Sequence, residues 1–341
     1  MKGVYSPLHT RHDGGVELYR GALVPTFETP ERAEIIRAAL AAGGYELLEP
    51  RPIPESRLLR VHEPEFVEFL RGAHARWVAE GRSGHVLASG FPARGLRRDR
   101  RPAGISGSLG YFSFDASTPI VAGTWDAVLA AARAAMTAAA LVTEGERAAY
   151  ALCRPPGHHA ARSTFGGYCY LNNAALAAQY LRDAGRARVT VLDVDYHHGN
   201  GTQEIFWERD DVQFVSLHGD PDTEYPWFMG YADERGAGPG EGFTLNLPLP
   251  AGTDWEAYGA ALDVALEAIR RYAPEALVVS LGVDTFAADP ISAFKLESRH
   301  YPLIGERIAA LGLPTVLVQE GGYAVAEIGT NVAGVLGAFA D

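Results

Sequence analysis

Five short apolar runs, at 148–153, 189–192, 213–217, 276–281 and 315–319, recur along the chain with amphipathic stretches between them. Runs of this length without polar alternation are the mark of strands buried on both faces, and the intervening helical periods supply the crossovers that parallel pairing requires. The pattern predicts an α/β fold of three layers, α/β/α, around a mostly parallel sheet. Helical stretches are expected at 33–42, 125–141, 173–184, 255–271 and 303–311. Thr29-Pro30-Glu31-Arg32 reads as an N-cap followed by proline at the first helical position.

The 341 residues suffice for two average domains or one large α/β domain, and the lack of an internal repeat or low-complexity linker makes 1–341 a single domain. The segment 81–118 departs from the rest. Arg94, Arg97, Arg98, Arg100 and Arg101 stand there among Gly and Pro with little periodicity, as in a long excursion that is either functional and interface-forming or merely a solvated basic loop. A formal net charge of -12, from 30 Lys+Arg against 42 Asp+Glu, argues against nucleic acid and permits a cationic substrate. The N-terminus has no apolar signal core, and no run looks apolar enough for a membrane span, so a cytoplasmic protein with no membrane partner is expected. Cys153 and Cys169 are the only cysteines, which fits a reduced compartment without disulfides.

Chemistry collects where these strands run out. Asp195 and His197 follow the run at 189–192, and alternate residues at a strand end point the same way, so both can grip one metal ion. Asp284 follows another run, giving two carboxylates and one imidazole, a set suited to Zn²⁺ or Fe²⁺ with a position left for water. The tandem His158-His159 after a Pro-Pro-Gly turn and the Gly-Gly-Tyr ending at Tyr323 follow two more. In an open parallel sheet these ends face one crevice.

The motifs Arg154-Pro155-Pro156-Gly157-His158-His159, Phe165-Gly166-Gly167-Tyr168-Cys169, Asp193-Val194-Asp195-Tyr196-His197-His198-Gly199-Asn200-Gly201, Ser216-Leu217-His218, Gly282-Val283-Asp284 with Asp289-Pro290, and Glu320-Gly321-Gly322-Tyr323 resemble the arginase-deacetylase superfamily. Their order and spacing resemble its histone-deacetylase-like amidohydrolases over essentially the whole chain. Glu17-Leu18-Tyr19 with Leu23-Val24-Pro25 is more similar to the bacterial acetylpolyamine amidohydrolases.

The resemblance implies hydrolysis of an N-acetylated amine, a small molecule, to acetate and free amine. Asp195, His197 and Asp284 would hold one Zn²⁺, with Fe²⁺ or Co²⁺ as alternatives. His159 would act as general base with His158 beside it, and Tyr323 would donate to the oxyanion. Asp193 would orient His158, and Asn200 would orient His159, its amide making that imidazole less basic than a carboxylate would. Asp193, Asp195, His197, Ser216 and Leu217 resemble a structural potassium site. Gly167, Tyr168, Tyr225 and Gly321 would meet substrate, with Tyr225 or Phe228 as a slot wall and Glu17 at a distal ammonium. The 81–118 excursion resembles a loop through which relatives form homodimers and narrow the entrance. Where polyamine-specific relatives resemble one another in carrying further Glu residues, this chain reads Ile105-Ser106-Gly107-Ser108 and Ala116-Ser117-Thr118, which keeps acetyl-lysine open as a substrate. A binuclear manganese ureohydrolase would want a carboxylate two residues beyond Asp284, where Phe286 stands. A non-catalytic small-molecule binder would need neither the histidine pair nor Tyr323.

Overall fold

The computed structural model describes residues 1–340. Its elements run β1 (Lys2–Val4), β2 (Val16–Tyr19), β3 (Ala22–Pro25), α1 (Pro30–Ala42), β4 (Glu46–Leu48), α2 (Pro64–Ala79), α3 (Ile105–Phe112), α4 (Thr124–Thr143), β5 (Ala148–Ala151) and α5 (Asn173–Asp183). They continue with β6 (Val189–Asp193), α6 (Asn200–Phe206), β7 (Val212–Gly219), β8 (Thr244–Leu249), α7 (Trp255–Tyr272), β9 (Ala276–Leu281), α8 (Tyr301–Ala309), β10 (Thr315–Gln319) and α9 (Val325–Gly337). Eight strands form one sheet in the order β4-β1-β5-β10-β9-β6-β7-β8. Every neighbouring pair in it is parallel.

Alternation along the strands builds the three layers. On β9, Ala276 and Val278 face the core shared with α4 and α5, while Leu277, Val279 and Leu281 face the core shared with α7, α8 and α9. Val316 and Leu317 of β10 divide in the same way. Both faces are covered, which is why these strands carry unbroken apolar runs.

Three local outcomes differ from the sequence expectation. The 81–118 segment contains helix α3, whose Ile105, Leu109 and Phe112 are buried. Its glycines conceal it: a Cβ at Gly110 would lie 1.6 Å from the Gly90 carbonyl oxygen, so the helix needs a bare position there. Thr29 occupies the N-cap position of α1 before Pro30, yet its hydroxyl makes no capping hydrogen bond. Helix α4 does reach the length and apolarity of a membrane span, with mean hydropathy 1.4, but 83% of that window is buried against the protein itself.

Candidate active site

The five central strand ends open on one side, and the loops leaving them converge. Asp195, His197 and Asp284 are buried together, with one ligand atom from each within 4.8 Å of the others. His197 Nδ1 lies 3.0 Å from Asp284 Oδ2 and 3.3 Å from Asp195 Oδ1. Backbone donors aim the carboxylates: Gly321 N–H donates to Asp195 Oδ2 at 2.8 Å and Tyr196 N–H to Asp284 Oδ1 at 2.8 Å. The carboxylates press on backbone that has no side chain. A Cβ at Gly282 would lie 2.0 Å from Asp195 Oδ2, and one at Gly321 would lie 2.4 Å from Asp284 Oδ2.

This donor set fits a divalent cation. Burial, followed by the charge of Asp195, pushes Asp284 up to about 7. Burial opposes protonation of His197, but hydrogen bonds and charge from Asp195 and Asp284 carry it up to about 10. Two buried carboxylates that hold a proton on their neighbour this strongly are a potential that a divalent ion satisfies better. Phe286 is half-buried against the core and supplies no carboxylate for a second ion.

The histidine pair follows β5. Gly157 N–H and His158 N–H both donate to Glu320 Oε2, at 2.6 and 3.1 Å, which fixes the turn. His158 Nδ1 meets Asp193 Oδ2 at 3.0 Å, and His159 Nδ1 meets Asn200 Oδ1 at 2.7 Å. The rings lie 4.1 Å apart but titrate in opposite directions. Burial works against charge on His158, and the carboxylates of Asp193 and Asp195 overcome it to hold the group at about 10. Burial lowers His159 well below its ordinary value, and the charges of His158 and His197 add to the effect. Burial and the surrounding charges thus favour the proton on His158 and the neutral form of His159.

Tyr323 closes the far side. Burial pushes its phenol well above the usual range, against the opposing pull of Arg32, whose guanidinium sits 4.6 Å from the ring centroid. The phenol is held protonated, able to donate. Asp193 and Ser216 are register partners on β6 and β7, and Asp193 Oδ1 accepts the Asp195 N–H at 3.2 Å.

A cleft of about 530 Å³ leads down to His159, His197 and Tyr323. Phe114, Tyr168 and Tyr225 wall it, and the Tyr225 ring packs edge-on to His159 at 5.2 Å. Gly167 is needed where the wall passes the histidine, because its φ is +57° and a Cβ would lie 2.3 Å from His159 Cδ2. Of the two candidates for the opposite wall, Tyr225 takes the position, while Phe228 is 92% exposed outside it.

Two expected substrate contacts are placed otherwise. Glu17 lines the cleft but is only 1% exposed, and its carboxylate accepts from the Tyr168 hydroxyl at 2.8 Å, the Thr26 hydroxyl at 2.9 Å and the Phe27 N–H at 3.2 Å. It orients a wall instead of presenting free charge. Gly321 lies against the Asp195 and Asp284 carboxylates, behind the cluster and not along the cleft.

Residues 26–339 match the histone deacetylase domain family. The chain belongs to this family and is a deacetylase. It is 54% identical over 338 residues to acetylpolyamine amidohydrolase 1 of Pseudomonas aeruginosa, covering 98% of each chain. It is 49% identical over 337 residues to the acetylpolyamine amidohydrolase of Mycoplana ramosa, again covering 98% of each. The crystal structure of acetylpolyamine aminohydrolase from Burkholderia pseudomallei superposes with a TM-score of 0.95 at 42% identity, covering 99% of this chain and 98% of that one.

Sequence reasoning about this deacetylase missed the residues that hold its site without facing it. Asp115 Oδ2 accepts the Gly167 N–H at 2.6 Å and the Tyr225 hydroxyl at 2.8 Å, which ties both walls to one carboxylate. Arg32 donates to the carbonyls of Gly322 and Glu320 at 2.6 and 2.8 Å and binds Glu28 beneath them. Asp289 accepts the Tyr323 N–H at 2.7 Å. The Asp289-Pro290 pair was visible as a motif, but nothing in its neighbourhood names Tyr323, 34 residues onward, as its partner.

Proposed function

We propose that this deacetylase hydrolyses the acetamide of N-acetylated polyamines to acetate and free amine, using zinc held by Asp195, His197 and Asp284. The observation that carries the reading is the convergence of His159, His197 and Tyr323 at the floor of one aromatic cleft, with Asp195 and Asp284 gathered against His197. The bound ion would supply Lewis acidity at the acetyl carbonyl and lower the pKa of a water; Fe²⁺ or Co²⁺ would serve in its place.

The protein's own groups manage the protons. His159 directs its Nδ1–H to Asn200, which leaves Nε2 to accept the proton of the attacking water and return it to the departing amine nitrogen. His158, charged by its pairing with Asp193, stabilises the negative charge that develops beside it. Tyr323 donates its phenol hydrogen to the carbonyl oxygen as that oxygen becomes an oxyanion. The walls of Tyr168 and Tyr225 hold the aliphatic stem, and aromatic faces favour the cationic remainder of a polyamine.

The names of the similar proteins support the polyamine as substrate. We also infer a single domain over 1–341, a structural potassium ion at Asp193, Asp195, His197, Ser216 and Leu217, and a homodimer built through the 81–118 excursion in the cytoplasm. The deciding experiment measures metal content and acetate release together, across acetylputrescine, acetylcadaverine, acetylspermidine and acetyl-lysine peptides. One metal per chain and highest kcat/KM on an acetylpolyamine are expected. A preference for the peptides would overturn the substrate.

A further inference from the structure

Glu17, Asp115 and Glu224 are the carboxylates lining the cleft, and they differ in what already occupies them. Glu17 is taken by Tyr168, Thr26 and Phe27. Asp115 is taken by Gly167 and Tyr225 on one oxygen and by Ser117 N–H and the Thr118 hydroxyl on the other. Four donors fill the acceptor positions of Asp115, and three donors together with near-complete burial occupy Glu17, so neither group offers a free edge to a substrate.

Glu224 is different. Its backbone N–H is anchored to the Asp220 carbonyl at 2.8 Å, which fixes where the residue stands. Its half-buried side chain pairs with no Lys or Arg among the described residues. The Tyr196 hydroxyl lies beside it against Gly219 but makes no hydrogen bond. The carboxylate's acceptor capacity therefore stays open. Tyr196 sits between the metal-cluster residues Asp195 and His197, and the next residue after Glu224 is Tyr225, whose ring lies 6.1 Å from that of His197. Glu224 thus lines the same cleft as His159, His197 and Tyr323, next to the Tyr225 wall. Arg20, the guanidinium that also lines the cleft, lies over the Tyr19 ring at the β2–β3 hairpin tip, so the cleft presents one available anion and not a uniformly acidic mouth.

We propose that Glu224 is the specificity residue that receives the distal ammonium of the acetylated amine. The assignment rests on the polyamine reading above and moves the cation contact away from Glu17. It is tested by comparing N-acetylputrescine with the neutral N-butylacetamide in wild type, Glu224→Gln and Glu224→Lys. The ratio of kcat/KM for the cationic over the neutral substrate is expected to fall about tenfold in the Gln variant, the scale of one charge-assisted hydrogen bond, and further in the Lys variant, chiefly through KM. Glu17→Gln, acting through Tyr168, lowers kcat/KM for both substrates alike. A ratio that keeps its wild-type value in both Glu224 variants overturns the assignment. Wild-type enzyme that turns over no acetylated polyamine overturns the function itself, and the assignment with it.

Discussion

Asp289 Oδ2 accepts the Tyr323 N–H at 2.7 Å and the Ala324 N–H at 3.2 Å, while its Oδ1 accepts the Ile291 N–H at 3.1 Å. One buried carboxylate thus joins the loop after β9, which carries Asp284, to the loop after β10, which carries Tyr323. The position of Tyr323 relative to the metal cluster is set by this link.

Asp289→Asn keeps the shape but leaves one acceptor oxygen for three N–H groups. Turnover is expected to fall about tenfold to a hundredfold, with KM changed much less, because a small displacement of a positioned group is costly. Metal content measured on the same preparation should match wild type. Loss of metal in proportion to loss of activity would mean that Asp289 supports the fold and not the phenol.

Tyr323→Phe removes a donor and almost nothing else, since the ring and its contact with Arg32 remain. Its kcat is expected to drop by roughly 10²–10³, as for the loss of one oxyanion donor. His159→Ala should cost about 10²–10⁴, the scale of a general base. Both variants should bind metal normally, and near-wild-type rates in either would remove that residue from the reaction.

Asn200 sets the basicity of His159. With only an amide on its Nδ1, His159 is held low by burial and by the charges of His158 and His197. Asn200→Asp adds a carboxylate, which favours the imidazolium and raises the pKa. A base must be neutral to act, so the acid limb of the kcat/KM profile moves to higher pH. A limb that stays in place would show that another group governs it.

The fold was legible because strands buried on both faces have no freedom in composition: β9 and β10 occupy the predicted residues, and β6 extends one further, to Asp193. The metal cluster was legible because Asp195 and His197 are close in sequence and must share a strand-end geometry. Residues whose meaning lies in a distant partner were not. Asp115 and Gly167 are 52 residues apart, and Glu17 and Tyr168 are 151 apart. For Glu17 the residue type alone suggested a free anion, whereas burial and three donors make it a brace. Helix α3 was hidden for the opposite reason, since close packing demanded the glycines that ordinarily argue against a helix.

A buried histidine makes the fold sensitive to acid. His62 donates from Nδ1 to the Ala161 carbonyl at 2.9 Å and accepts the Asn172 N–H at Nε2 at 3.0 Å, so it must be neutral. Asn172 in turn caps α5 and donates to the Ala160 carbonyl near the catalytic turn. Burial lowers His62 from 6.5 to about 4, and lowers His12 and His218 to about 4 as well. A lowered histidine means that the unfolded chain binds more protons between pH 4 and 6.5, so stability rises with pH through that window and is lost as pH falls through it. The raised carboxyls of Glu320 and Asp289 act in the opposite direction over the same window, so the histidine contribution is read as a difference between variants. The urea midpoint of wild type should therefore fall more steeply from pH 6.5 to 4 than that of a variant in which His62 cannot titrate. His62→Gln retains one donor and one acceptor but cannot titrate, and should flatten part of that slope. A slope that is the same in wild type and in His62→Gln would sink the account.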